Sequence, residues 1–136
     1  MTHPVQSLMS LSPHECRALV GEASVARVAF VAGGLPVVVP VTCAVLDDAV
    51  VFCTAADTRL ATAVAARSPL ALEVDEIDLR TRTGWSVVVT DVPERVHDAA
   101  QQARMRSVLE PWAPGAHEVF VRLPLGGMTG RRIAVG

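Results

Sequence analysis

The sequence predicts a single, mainly β domain: an antiparallel barrel of six or seven strands with two or three short helices. The length of 136 residues is that of one domain. Apolar residues recur in short runs with the alternation of strands, and turn signals such as Gly33-Gly34 and Asp47-Asp48 separate these runs at close intervals. Hydrophobic residues make up 51% of the chain, so it can bury a full core without disulfide or metal support.

The N-terminal region predicts a flexible tail followed by a helix. Residues 1–10 show no clear periodicity and are expected to be flexible at the start of one domain that spans residues 1–136. Ser12 can then act as the N-cap, Pro13 fits the first helical position, and Glu15 completes a capping box.

A β-meander follows this helix. Two prolines, Pro36 and Pro40, interrupt its second strand, and proline cannot donate a hydrogen bond to a neighbouring strand. We therefore expect this strand to lie at a sheet edge, or to be bulged or bent at the prolines. In chain order the three strands are Val25–Val31, Leu35–Leu46 and Ala49–Thr54.

The second half of the chain predicts two more helices and the remaining strands. Asp57 can cap a short helix that ends near Arg67. Asp98 with Gln101 makes a second capping box, which opens a helix to about Leu109. The other predicted elements are the strands Leu70–Leu79 and Arg82–Val92, a rigid loop Pro111–Gly115, and a closing hairpin of Glu118–Leu123 and Met128–Val135 through Gly126-Gly127.

Charge and composition exclude several classes of partner and site. The formal net charge is −2 with acids and bases scattered, whereas a nucleic-acid surface needs clustered basic residues. No apolar run approaches the roughly 20 residues of a membrane-spanning helix. The four histidines lack the spacing of a metal or catalytic site, and the acidic run Glu73–Asp78 is split between two strand faces. That run predicts a solvated or arginine-paired edge rather than a metal site.

The three cysteines indicate a reducing compartment, and hence the cytoplasm. Their number is odd and no C-x-x-C pair occurs, so neither a disulfide framework nor zinc is indicated. Cys43 and Cys53 flank a predicted hairpin. A two-residue loop would direct them to opposite faces of the sheet, whereas a three-residue loop would place them opposite each other.

The segment between the third strand and the next helix is the first candidate for chemistry. A strand ends at Thr54, and the helix carries Thr58 and Arg59 in its first turn. Backbone N–H groups, a hydroxyl and a guanidinium then meet at one place, as an anion site requires. An ordinary capped helix with a solvated arginine has the same sequence, so this segment alone leaves both interpretations open.

A second candidate is Trp85, which precedes Ser86 in a predicted strand. A tryptophan there needs packing for its ring and a partner for its N–H. It could line a pocket, fill the core or lie in a dimer interface, and the sequence around it does not choose between these.

Taken in order, short motifs resemble the FMN-binding split-barrel proteins similar to pyridoxamine 5'-phosphate oxidase, particularly small actinobacterial members. The resemblance implies a split β-barrel that forms a homodimer with two flavin sites at the subunit interface. It also implies that Thr54, Thr58 and Arg59 hold the FMN phosphate, that the ring lies along Val39, Pro40, Val41, Thr42 and Cys43, and that Trp85 and Ser86 add contacts from one side. The motifs are Leu11–Cys16, Arg27–Phe30, Leu35–Val41, Val51–Thr54, Glu73–Asp75, Gly84–Val87, Pro111–Gly115 and Thr129–Ile133.

Two functions from different classes follow from this resemblance. The first is an FMN-dependent oxidoreductase for a small-molecule substrate, in which the flavin supplies the chemistry and no catalytic side chain is needed. The second is a non-catalytic protein that carries or senses a flavin or a deazaflavin. The phosphate loop favours the second, because Ala55–Asp57 stands where relatives often carry glycine and lysine. A dimer with no cofactor is the third interpretation.

Overall fold

The computed structural model describes residues 6–109 and 119–135. Its helices are α1 (Pro13–Glu22), α2 (Arg59–Ala65) and α3 (Ala99–Val108). Its strands are β1 (Gln6–Ser10), β2 (Val25–Ala32), β3 (Leu35–Thr42), β4 (Ala44–Leu46), β5 (Ala49–Thr54), β6 (Leu70–Asp78), β7 (Thr83–Asp91), β8 (Glu94–Val96), β9 (Val119–Pro124) and β10 (Met128–Val135).

The strands form two antiparallel sheets. The larger has the order β1-β10-β7-β6-β2-β3, and the smaller has the order β4-β5-β9-β8. The predicted fold class, a mainly β antiparallel split barrel with short helices, is confirmed. The strand count was too low: the described residues contain ten strands rather than six or seven, because one predicted strand is divided and two short strands were missed.

The divided strand is the proline-containing run. It breaks at Cys43, not at Pro36 or Pro40, and its two parts, β3 and β4, belong to different sheets. The Cys43 N–H donates to the carbonyl oxygen of Ser24 at 2.9 Å, which fixes the crossing point between the sheets. β3 is an edge strand, as the two prolines predicted.

Both predicted tight turns have two-residue loops. Gly33-Gly34 has φ angles of 59° and 77°, and Asp47-Asp48 has φ angles of 50° and 60°. Positive φ at both central residues matches the twist of the strands that such a turn connects. With two residues in the second loop, Cys43 lies in the main core and Cys53 packs on the other side of the smaller sheet, both as free thiols.

Two long-range predictions were wrong. Residues 6–10 are not a flexible tail: they form β1, which pairs with β10 from Gln6 opposite Val135 to Ser10 opposite Arg131. β9 and β10 are not a hairpin either, because a short 3-10 turn at Leu125–Gly127 sends them into different sheets. The predicted loop Pro111–Gly115 lies outside the described residues.

The core has two parts on either side of the smaller sheet. The main part lies between the sheets and includes Phe52, Leu72 and Leu123, all fully buried. The second lies between the smaller sheet and α3 and includes Val51 and Met105. β5 is therefore covered on both faces, and this packing fixes the position of Thr54, the residue at which β5 ends. Among the residues described, no helix has the length and apolar character that crossing a membrane requires.

Candidate functional site

The end of β5 and the start of α2 bring two threonine hydroxyls together. Thr54 Oγ1 lies 2.9 Å from Thr58 Oγ1. Thr58 is the N-cap of α2, since its hydroxyl accepts from the N–H of Ala61 at 3.1 Å. The sequence analysis assigned this cap to Asp57, one residue too early. Thr58 is the better cap because its hydroxyl also bonds within the loop, donating to the Ala55 carbonyl oxygen at 2.8 Å.

These hydrogen bonds use both hydroxyl protons. Each threonine has one O–H to donate. Thr58 gives its proton to Ala55, so Thr54 is the donor in the bond between the two hydroxyls. A bound anion would therefore have to accept from other groups, or draw the Thr58 proton away from the Ala55 carbonyl.

Other donors are present at the same place. The Arg59 side chain is exposed and forms no ion pair with any residue of the described ranges. Within those ranges the backbone N–H groups of Arg59 and Leu60 also have no acceptor, as expected for the first turn of a helix. Asp57 is exposed beside them and adds a negative charge to the loop. One guanidinium and two backbone N–H groups are the donors that remain for an anion.

The predicted ring-binding strip, Val39–Cys43, lies at the edge of the larger sheet, on β3 and the residue that follows it. Val39 and Val41 are half-buried and pack against the main core, whereas Pro40 is exposed on the other face. Thr42 is half-buried at the end of the strand. β3 contacts β5 across the two sheets, so the strand that carries the strip packs on the strand that ends at Thr54.

Cys43, the last residue of the predicted strip, is a structural thiol. It is 5% exposed, and its Sγ lies 3.8 Å from the Ala23 carbonyl oxygen. Burial raises the pKa of the Cys43 thiol to about 11. It is therefore protonated at neutral pH and is no nucleophile.

Trp85 and Ser86 are not beside the threonine pair within one chain. They lie on β7, and the strands β6 and β2 separate β7 from β3. Three strand spacings of about 4.8 Å put roughly 14 Å of sheet between β7 and β3. Trp85 packs against the main core, opposite Glu76 on one side and Arg132 on the other. The structure thus brings Thr54 and Thr58 together, whereas Trp85 and Ser86 of the predicted site lie elsewhere in the same chain.

An ionic cluster lies on the face of the larger sheet that is turned away from the core, and the sequence predicted only part of it. Arg27 Nη1 lies 3.1 Å from Asp75 Oδ2 and 3.5 Å from Glu73 Oε1. The expected pairing with arginine is therefore present, but the acidic residues lie on β6, inside the sheet between β7 and β2, and not at an edge. Burial, the hydrogen bond with Asp75 and the Asp75 charge raise the pKa of Glu73 to about 7, while Arg27 acts in the opposite direction. The strand alternation indicated the shared face, but burial of the Glu73 oxygen depends on neighbouring strands.

A cavity of about 320 Å³ lies away from these residues, between the smaller sheet and α3. Its floor is apolar, and its rim is closed by ion pairs. Arg104 donates to Asp47 at 2.8 and 3.2 Å, and Arg122 donates to Glu94 at 2.8 Å. The charged groups satisfy one another, and no predicted site residue lines this cavity. Among the described residues, no cluster of three or more His, Cys, Asp or Glu could hold a metal ion.

A comparison with protein families shows the family of this chain. Residues 12–132 match the model of the pyridoxamine 5'-phosphate oxidase family. The chain belongs to this family. The match includes every element from α1 to most of β10, and thus both parts of the predicted site. The resemblance drawn from the short sequence motifs is therefore confirmed.

Similar proteins occur in several bacteria. An uncharacterized protein of Mycobacterium tuberculosis is 33% identical over 132 residues, which cover 94% of this chain and 87% of that protein. An FAD-binding protein of Mesorhizobium loti is 28% identical with a TM-score of 0.81, covering 93% of this chain and 99% of that chain. The FAD-binding protein of Mycobacterium smegmatis is 27% identical with a TM-score of 0.71, covering 93% and 98%.

Proposed function

We propose that this chain is a flavin-dependent oxidoreductase that holds FMN between two copies of itself and acts on a small molecule. The observation that carries the proposal is the group of donors at the start of α2: Arg59 with the free N–H groups of Arg59 and Leu60, next to the Thr54–Thr58 pair. It occurs in a chain whose structural neighbours, covered almost completely, are FAD-binding proteins.

The donor set fits a flavin phosphate. A guanidinium offers two parallel N–H donors to phosphate oxygens, and backbone N–H groups add shorter-range contacts. The Thr54–Thr58 bond stabilises the loop that presents these donors. Thr58 can also turn its proton from the Ala55 carbonyl toward a phosphate oxygen, because a hydroxyl rotates freely to the stronger acceptor.

The strip of β3 fits a flat, largely apolar ring. Val39 and Val41 are half-buried on the core side of this edge strand, and Thr42 is half-buried on its other side. A ring lying along the edge would remove apolar surface of the two valines from water. When bound, the flavin supplies hydride transfer to or from its ring. The residues of this chain would orient the ring and exclude water. Cys43, protonated and held by the Ala23 carbonyl, takes no part as an acid or a base.

A second copy supplies what one chain lacks at this site. β3 is a free edge of the larger sheet, and Trp85 and Ser86 lie on β7, roughly 14 Å from β3 along the sheet. In a symmetric dimer each copy gives the same surface, so one copy can offer the phosphate loop while the other offers β7. Because the site needs no metal or disulfide, such a dimer fits the reducing conditions of the cytoplasm.

One observation favours the second candidate, a non-catalytic carrier of a flavin or a deazaflavin. Both threonine protons are used inside the loop, and Asp57 places a negative charge next to the phosphate donors. Like charges at such range weaken phosphate binding. A ligand that is gripped loosely and exchanged would suit a carrier.

The visible absorption spectrum of the purified protein tests the proposal first. The protein is incubated with FMN, FAD or a deazaflavin in parallel, and passed over a desalting column. Retention of FMN bands, followed by their bleaching under a reductant and recovery with a small-molecule acceptor, is expected for the oxidoreductase. Retention without turnover would favour the carrier. If only FAD or a deazaflavin is retained, FMN is the wrong cofactor, and retention of none of the three contradicts both functions.

Replacing Arg59 by alanine is expected to weaken flavin binding by about 10- to 150-fold. A hydrogen bond to a charged group contributes about 1.5–3 kcal/mol, which corresponds to that change in affinity. Flavin fluorescence titration measures it. Arg95→Ala, which removes an exposed arginine of β8, is the matched control and should leave the affinity unchanged. Equal affinity of Arg59→Ala and the parent protein would remove the phosphate assignment.

A further inference from the structure

The outer face of the larger sheet, turned away from the core, is unusually apolar for an exposed surface. In antiparallel pairs, directly opposed residues share a face, and the registers of the six strands therefore show which residues point outward. Of the eleven large hydrophobic residues that the described ranges leave exposed, seven share this face. They are Leu8, Val25, Val31, Val38, Ile77, Ile133 and Val135.

This face is large enough for a stable contact with another chain. Six strands at about 4.8 Å and about eight residues per strand at 3.3 Å give roughly 29 by 26 Å. Stable interfaces bury about 800 Å² on each partner, and single chains rarely expose apolar patches of several hundred Å². A second copy of the same chain presents the same face, and apolar surface is complementary to itself.

The centre of the outer face holds a cluster of charged residues that such a contact would cover. Arg27, Glu73 and Asp75 carry two carboxylates and one guanidinium. Arg27 Nη1 donates a hydrogen bond to Asp75 and lies 3.5 Å from the buried Oε1 of Glu73, which accepts no hydrogen bond within the described residues. Two carboxylates therefore share one guanidinium, and covering the second negative charge is costly, whereas covering a protonated carboxyl is not.

The other groups around Glu73 do not add a second cation. On β7 it faces Val88, with Ser86 beside Asp75 in the next register pair. On β2 it faces Arg27, which the Asp75 carboxylate already binds. The next cation on this face is Arg131 of β10, which lies opposite Ser86 of β7 and two strands away from β6.

We propose that a second copy of the chain packs on this outer face, and that it does so with Glu73 as a neutral carboxylic acid, so that dimerisation takes up protons. The inference rests on the proposed homodimer and adds to it the face that is covered and the residue that governs its strength.

The sign of the pH dependence follows from Glu73. Its pKa is raised above the ordinary carboxyl value to about 7 in the single chain, chiefly by burial, and a covering copy would bury it further and raise it more. The contribution of the neutral form to dimer stability is complete well below pH 7. It is lost as the pH rises through that pKa and Glu73 ionises.

Sedimentation equilibrium of the full chain at about pH 6 and about pH 8.5 measures the effect. If dimerisation raises the pKa of both Glu73 carboxyls by one unit, the dimer Kd increases by about 50-fold between these conditions. Glu73→Gln, a neutral isostere, is expected to dimerise tightly with no pH dependence. Glu76→Gln, on the same strand but facing the opposite side, is the matched control and should keep the dependence of the parent.

Asp75→Asn keeps the test informative if Glu73→Gln alters the fold. Asp75 raises the pKa of Glu73, so this variant should move the loss of dimer to lower pH. A dimer whose Kd is independent of pH, or which strengthens as the pH rises, overturns the inference about Glu73 and leaves the proposed flavin dimer standing. A monomer at every pH overturns both, and FMN retention measured in the same samples shows whether binding survives without the dimer.

Discussion

Replacing Phe52 by alanine is expected to lower the free energy of unfolding by about 3–5 kcal/mol. Phe52 is the largest fully buried side chain of the described residues and lies on β5, where the two sheets face each other. Its truncation removes buried apolar area and leaves a cavity that the surrounding strands cannot fill. Because a domain is stable by only about 5–15 kcal/mol, this one change would remove a large part of the stability.

Urea denaturation followed by circular dichroism measures the loss. The matched control is Leu79→Ala, which truncates a side chain that is 86% exposed. That control should stay within about 0.5 kcal/mol of the parent. A loss below about 1 kcal/mol for Phe52→Ala would mean that the sheets do not close on this residue as described.

Gly127→Ala is expected to destabilise the chain by about 3 kcal/mol, at the upper end of the cost of overpacking. A Cβ on Gly127 would collide with the backbone carbonyl oxygen of Thr90 in β7. A backbone atom inside a sheet cannot move aside as a flexible side chain can. The 3-10 turn that carries the chain from the smaller sheet to the larger would have to shift.

The adjacent glycine provides the control. A Cβ on Gly126 meets nothing within 4 Å, and this residue has no positive φ. Gly126→Ala should therefore be neutral or stabilise by about 0.4–1 kcal/mol, because alanine restricts the unfolded chain. Thermal unfolding of the two variants should separate them clearly. Equal melting temperatures would show that the turn is not held against β7.

Local signals in the sequence predicted local structure well. The capping box at Ser12 and Glu15 forms with both of its hydrogen bonds, each 3.1 Å long. The turns predicted at Gly33-Gly34 and Asp47-Asp48 form, each with a two-residue loop, although the sequence left the length of the second loop open. Each of these features depends on residues within a few positions of one another, so the short segment contains the information that determines it.

Long-range pairing was predicted less well. Nothing in residues 6–10 alternates, and all five are exposed, so β1 depends on the hydrogen bonds that β10 provides. The segment Leu125–Gly127 reads as a hairpin turn, but the contact of Gly127 with β7 leads the chain into another sheet. In both cases the conformation of the segment depends on a strand that is distant in the sequence, and the local sequence pattern does not show which strand that is.

The candidate site divides in the same way. Thr54, Thr58 and Arg59 are close in sequence, and the structure places the two threonines in hydrogen-bond contact. Asp57 and Thr58 are both good cap residues, so the choice between them needed the Thr54 and Ala55 partners. The relation of Trp85 to these residues depends on strand order, which only the folded chain shows.

The prolines of β3 have a consequence for assembly. β3 is one free edge of the larger sheet, and a free edge invites further strands to add through backbone hydrogen bonds. Pro36 and Pro40 have no N–H to give to an incoming strand. Runaway polymerisation by edge pairing is therefore blocked on this side. The prolines leave the outer face of the sheet free for the proposed symmetric dimer, which would be a closed assembly and not a fibre.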